Sequence, residues 1–90
     1  YNVDKAFVSC RGIDASGVTE AHELAILAKL KMMSNSNQTF LLVDHSKFGV
    51  KDFLQVSSLD AFDWILTDSQ TTPEQIRSLD KHASKVIQFQ

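Results

Sequence analysis

The sequence predicts an α/β fold: a mostly parallel, Rossmann-like sheet with flanking helices. Three observations carry this. Short runs of strand-forming residues alternate along the chain with segments of helical periodicity, an order that implies right-handed crossovers between parallel strands. Residues 39–43 (TFLLV) form a nearly continuous apolar run, which reads as a strand covered on both faces. Thr72-Pro73-Glu74-Gln75 is a helix start, with Thr72 as cap, Pro73 at the first helical position and Gln75 completing a capping box.

The first strand is residues 3–10 (VDKAFVSC), with Val3, Ala6, Phe7 and Val8 as its apolar content. Gly12 and Gly17 punctuate a loop that ends at Thr19. Thr19 is expected to cap a helix whose first turn holds Glu20 and Glu23, where the helix dipole favours acids. That helix runs to about Met33 with an inward stripe of Ile26, Leu27, Leu30 and Met33, and Ser34-Asn35-Ser36-Asn37 ends it. The second strand is 39–43. Residues 53–56 (FLQV) read as a short extended segment at an edge, and 64–67 (WILT) as a buried strand ending at Asp68. The capped second helix turns Ile76, Leu79 and Ala83 inward, and 86–89 (VIQF) closes the sheet.

Ninety residues bound the answer to one small domain, and 43% hydrophobic against 22% charged residues excludes a disordered chain. No apolar run approaches the roughly 20 residues of a membrane span. The opening Tyr1-Asn2-Val3-Asp4 has neither an initiator Met nor a signal-peptide pattern, so a piece of a longer protein is expected. A single cysteine, Cys10, leaves no internal disulfide and fits a reducing compartment. Net charge is −2 and the cations are scattered, Lys29 with Lys31 being the densest pair. Without a basic stripe, this piece is not expected to bind nucleic acid itself.

In open parallel sheets, ligands bind outside the carboxyl ends of the strands. Three polar clusters fall there: Ser9-Cys10-Arg11, Asp44-His45-Ser46-Lys47 and Thr67-Asp68. Glu23 is expected to join them from the start of the first helix, projecting inward. Lys47 is a compact charge suited to a phosphate or a sugar hydroxyl, with a solvated lysine as the alternative. Asp44 either positions Lys47 and accepts from a hydroxyl, or simply caps the next turn. Glu23 either contacts ligand or complements the dipole. Asp68 reads first as a turn former. His22, His45 and His82 lack metal-ligand spacing, so no metal is expected. Cys10 reads as a small buried hydrophobe in preference to a nucleophile, since no third group orients it. Neither Gly12 nor Gly17 belongs to a dinucleotide or Walker pattern, and no cofactor is implied. Met32 and Met33 read as core.

Val3-Asp4-Lys5-Ala6-Phe7, Gly12-Ile13-Asp14, Gly17-Val18-Thr19, Asp44-x-Ser46-Lys47-Phe48-Gly49 and Ile65-Leu66-Thr67-Asp68 occur in that order over nearly the whole chain. With these motifs the chain resembles the C-terminal effector-sensing domain of DeoR-type bacterial transcriptional regulators. Phe7-Val8-Ser9-Cys10-x-Gly12-Ile13-Asp14 is similar to the fucose-operon activator branch. The resemblance implies that residues 1–90 are the C-terminal part of a larger sensing domain. The first half of that domain and a winged helix-turn-helix would lie outside this chain. It also implies a phosphorylated sugar effector, operator DNA as a partner through the absent N-terminal domain, a homo-oligomer and a cytoplasmic location.

The effector-binding residues so implied are Lys47, Asp44, Ser46, Glu23, Arg11, Ser9, Cys10, Gly17 and Thr19. Through the family's relation to ribose-5-phosphate isomerase, a substrate-contacting lysine falls on Lys47 and a catalytic glutamate on or near Glu23. The isomerase's strand-end acids fall at Val8 and Arg11, neither of them acidic, so binding without turnover is expected and no catalytic residue is assigned. Arg11 instead suits phosphate, which guanidinium meets in a forked geometry. Two alternatives stand beside this reading: a sugar-phosphate aldose–ketose isomerase, and a purely structural oligomerisation domain. With half of the sensing domain outside the chain, the first strand is expected to form an open sheet edge.

Overall fold

A computed structural model describes residues 3–89; the opening Tyr1-Asn2 lies outside them. Among these residues seven strands and two α-helices follow in order, the predicted elements with two added strands, β2 and β3: β1 (Val3–Ser9), β2 (Gly12–Asp14), β3 (Gly17–Glu20), α1 (Glu23–Ser34), β4 (Ser36–Leu42), β5 (Leu54–Ser57), β6 (Trp64–Thr67), α2 (Pro73–Arg77) and β7 (Val86–Gln88). The main sheet has the order β1-β4-β6-β7, and every pairing in it is parallel. β1 is one edge of it, as expected.

The α/β expectation holds, and so does the second helix start. Thr72 accepts from the Gln75 N–H at 3.1 Å and Gln75 Oε1 accepts from the Thr72 N–H at 2.8 Å, with Pro73 inside the first turn. The helix is shorter than its stripe suggests. It gives way at Ser78, and a 3₁₀ segment (Asp80–Lys85) carries the chain to β7. Leu79 still reaches the core.

The expected loop between Gly12 and Thr19 is a correction. β2 and β3 form an antiparallel hairpin that pairs onward with β5 to make a second, three-stranded sheet. Its turn is built on Asp14, whose Oδ1 accepts from the Ser16 N–H at 2.9 Å and the Ser16 hydroxyl at 2.6 Å. Gly17 follows with φ +140°, where only glycine is unstrained. The predicted cap is corrected with it. Thr19 and Glu20 are buried strand residues, and α1 starts at Glu23 behind an extended His22 that provides no side-chain cap. The segment 53–56 does lie at an edge, but of this second sheet.

One core joins the two sheets. Val8, Ile13, Val18, Leu41, Val56 and Ile65 bring one residue from each of six strands, and Leu59, Phe62 and Leu79 fill between them. Burying such side chains stabilises by about 1.5–3 kcal/mol each. In β1, β4 and β6 the buried positions alternate: Ala6 and Val8, Thr39 and Leu41, Ile65 and Thr67. Coverage on both faces is therefore a second correction. The opposite face presents Phe7, Leu42, Trp64 and Ile87, each more than a third exposed, with the Phe7 and Phe40 rings 4.9 Å apart. The stripe on α1 divides likewise. Ile26 and Met33 pack on the core, whereas Leu27 and Leu30 are exposed, as is Met32.

Candidate functional site

β4 delivers its polar motif at the carboxyl end of the sheet. The Val43 N–H donates to Leu66 O at 3.0 Å, which keeps β4 and β6 paired to the last residue before Asp44. Asp44 then caps a 3₁₀ turn, His45–Lys47, by accepting from the Ser46 N–H at 2.9 Å and from the Ser46 hydroxyl. Those two bonds hold its carboxyl below the ordinary range. Of the two readings of Asp44, the cap is the one the geometry displays, and it consumes one of the two carboxylate oxygens. The Lys47 N–H closes the turn on Asp44 O at 3.1 Å. Among the described residues, no carboxylate lies within ion-pair distance of Lys47 Nζ.

β6 ends beside it. Asp68 Oδ2 accepts from His45 Nδ1 at 2.9 Å and from the His45 N–H at 3.2 Å. Its Oδ1 receives the Gln70 N–H at 3.0 Å and the Thr71 hydroxyl at 3.2 Å. The His45 ring bond leads these contributions, and the carboxyl is brought down to about 2. Asp68 is thus a turn former and a tie between the two strand ends. Gln75 adds a third tie, donating Nε2 to His45 O at 3.0 Å. Beneath it the buried Thr67 and Thr71 hydroxyls pair at 2.7 Å. An open depression of about 350 Å³ lies over these ends, lined by Leu42, Val43, Asp44, Leu66, Thr67, Asp68 and Phe89.

The nine implied effector residues divide in two. Ser9 ends β1 opposite Leu42 and is exposed, so Ser9, Asp44, Ser46 and Lys47 share the carboxyl edge. Arg11 is exposed beyond β1, its Nε 3.7 Å from Asp52 Oδ2. Cys10, Gly17 and Thr19 instead face inward. Burial pushes the Cys10 thiol up to about 11, outweighing the nearby Lys29 and Lys47 charges, so it is no nucleophile at neutral pH. Thr19 Oγ1 accepts from the Asp52 N–H at 2.9 Å, and Gly17 lies against Ser57 O. Glu23 is exposed on the first turn of α1, which corrects the inward projection expected of it. Among the described residues, no three His, Cys, Asp or Glu side chains gather as metal ligands, and no helix is long and apolar enough to cross a membrane.

Thr71 and Gln75 belong to this edge although the sequence reading assigned them no part in it, and the tie of His45 to Asp68 was not anticipated. The signal for His45 and Asp68 was available. Each lies just past the end of a predicted strand, at the carboxyl edge where the polar clusters were expected to meet.

Comparison with known proteins shows the family. The profile described as "DeoR C terminal sensor domain" matches residues 1–69. The chain is 36% identical over 87 residues to the uncharacterized HTH-type transcriptional regulator YulB of Bacillus subtilis, covering 96% of this chain and 34% of that protein. It is 41% identical over 68 residues to the HTH-type transcriptional repressor GlcR of the same species, covering 76% and 26%. With the L-fucose operon activator of Haemophilus influenzae it shares 35% over 68 residues, covering 74% and 27%. The chain thus spans about a third or less of the length of the curated relatives it matches. These relatives are regulators of transcription and not enzymes, and the chain belongs to the DeoR C-terminal sensor domain family.

Proposed function

We propose that this chain is the C-terminal part of the effector-binding domain of a sugar-responsive transcriptional regulator, and that its carboxyl edge takes a phosphorylated sugar without converting it. Lys47 meets the phosphate, Ser46 and Ser9 meet hydroxyls or phosphate oxygens, and Asp44 holds the turn that presents Lys47. Arg11 is a second contact for the anion. The observation that carries this reading is Lys47 itself: an ammonium with no carboxylate partner among the described residues, on a capped turn at the carboxyl end of a parallel strand. The name of the fucose operon activator supports a sugar as the signal.

In the full-length protein a winged helix-turn-helix, outside this chain, binds operator DNA as part of a homo-oligomer. Effector binding shifts the balance between states of different operator affinity. The half-exposed outer face of the main sheet and the open β1 edge support a larger sensing domain that continues beyond these residues.

The test is a thermal-shift screen of the full-length protein against phosphorylated sugars, each paired with its unphosphorylated form. A ligand at a hundred times its Kd stabilises by about 2.7 kcal/mol. The expected result is a shift with a phosphorylated sugar alone, lost in Lys47→Ala. Absence of any phosphosugar response would overturn the sensor reading. A response indifferent to Lys47→Ala would overturn the site.

A further inference from the structure

The most deeply placed ion pair among the described residues lies behind the strand ends. Glu20, the last residue of β3, accepts from Lys29 Nζ of α1, the two side chains being 7% and 16% exposed. Glu20 Oε1 also accepts from the Ala21 N–H at 3.1 Å. Burial by itself raises the Glu20 carboxyl. The Lys29 and Ala21 hydrogen bonds, with the charges of Lys29 and Arg11, reverse that and keep it below the ordinary range. Such a pair is a weak source of stability, because desolvating both charges offsets most of their attraction.

Its position suggests another use. The Arg11 N–H donates to Thr19 O at 3.1 Å, one residue before Glu20, so the pair adjoins the carboxyl end of β1. On another side of the same strand end, the turn from Lys47 closes with the Val50 N–H on Lys47 O at 3.3 Å, and Val50 O packs against Gly12. Two lysines from different elements therefore approach one strand end. A phosphate monoester near neutral pH carries close to two negative charges. Lys47 matches one of them, and Arg11 already faces a carboxylate, its Nε 3.7 Å from Asp52 Oδ2.

We propose that Lys29 is a further cation of the effector site, beside Lys47 and Arg11, held by Glu20 in the free protein and shared with the phosphate group when effector binds. This inference rests on the sugar-phosphate reading of the carboxyl edge. The lysine stem is long and flexible and its side chain is the more exposed of the two, whereas the shorter, more buried Glu20 stays with the Ala21 N–H. Glu20 is thus a positioning residue that holds a cation back until an anion competes for it.

The experiment uses the full-length protein with inorganic phosphate as probe, against chloride at matched ionic strength, read by calorimetric titration and thermal shift. Losing one charge-assisted contact in Lys29→Gln or in Lys47→Ala is expected to weaken phosphate binding about tenfold. Glu20→Gln, which keeps the shape and the Ala21 bond, is expected to bind phosphate several-fold more tightly while melting earlier. Earlier melting of Glu20→Gln with unchanged phosphate affinity would show a merely structural pair and overturn the inference. Normal phosphate binding by Lys29→Gln beside weakened Lys47→Ala would overturn it too, leaving the site reading intact. Wild-type affinity in both lysine variants would overturn the two readings together, and absence of any phosphate response in wild type would overturn this inference alone.

Discussion

Replacing Gly17 by alanine separates scaffold from ligand contact at a position where the family pattern alone does not distinguish them. Gly17 opens β3 at φ +140°, a region that costs other residues about 1–3 kcal/mol. A Cβ there would lie 2.3 Å from Ser57 O and 3.0 Å from Gln55 Nε2. The carbonyl cannot simply step aside, because Ser57 is held opposite Val18 in the β3–β5 ladder. Forcing an extra methyl into a packed site adds about 1–3 kcal/mol. The sum, about 2–6 kcal/mol, is a large share of the roughly 5–13 kcal/mol available to a domain of this size at typical stability per residue.

The loss should be local. Hydrogen exchange followed by mass spectrometry on the full-length Gly17→Ala variant should show lost protection over residues 12–20 and 54–57, while β4 and β6 keep theirs. Unchanged exchange over the hairpin, with a melting temperature within about 1 °C of wild type, would refute the steric reasoning. Intact protection combined with a lost effector response would restore Gly17 as a ligand contact.

Other outcomes follow from the same structure. Thr72→Ala removes the acceptor for the Gln75 N–H and should cost about 1 kcal/mol, read as a lower urea midpoint; no change would mean the cap is idle. Asp68 titrates at about 2 in the folded protein against an ordinary 3.8, so its ionised form favours folding. That contribution is complete above the ordinary value and is lost as pH falls from about 4 through 2. Urea midpoints measured between pH 2 and 6 should therefore vary less in Asp68→Asn than in wild type, and equal slopes would refute the assignment. Cys10, buried and pushed up to about 11, is expected to resist iodoacetamide at pH 8 until the protein is unfolded. Rapid labelling of the folded protein would contradict its placement in the core.

What the sequence disclosed and what it hid follow physical lines. β4, β6 and the start of α2 were legible because each carries a signal local in the chain: an apolar run or a reciprocal cap. The β2–β3 hairpin was not. Its strands are three and four residues long, too short for period-two alternation to show, and its turn residues, Asp14 to Gly17, are those of any loop. Misreading it displaced everything tied to it. Thr19 appeared as a cap because a hydroxyl before two acids is a helix-start pattern, yet its side chain serves the Asp52 N–H, 33 residues away. Glu20 appeared as a dipole complement for the same reason, and its pairing with Lys29 needs the hairpin to fold back on α1.

The site divides along the same line. The residues the sequence placed together at the carboxyl edge, Ser9, Asp44, Ser46 and Lys47, follow directly from the parallel order β1-β4-β6. Those that joined the list only through the resemblance to a family, Gly17 and Thr19, are fixed by contacts inside the second sheet and its neighbouring turn. A shared motif can mark the fold as readily as the ligand, and here the buried half of the motif accounts for itself by packing and hydrogen bonds. The depression at the strand ends also opens toward the sheet's outer face, since Leu42 and Leu66 line it from positions that alternate away from the buried Leu41 and Ile65. Under the proposed reading, any segment that covers this face also narrows the depression and excludes water from it. Charges there would act more strongly in the covered state. Effector affinity and the packing of the rest of the sensing domain would then be two measures of one equilibrium.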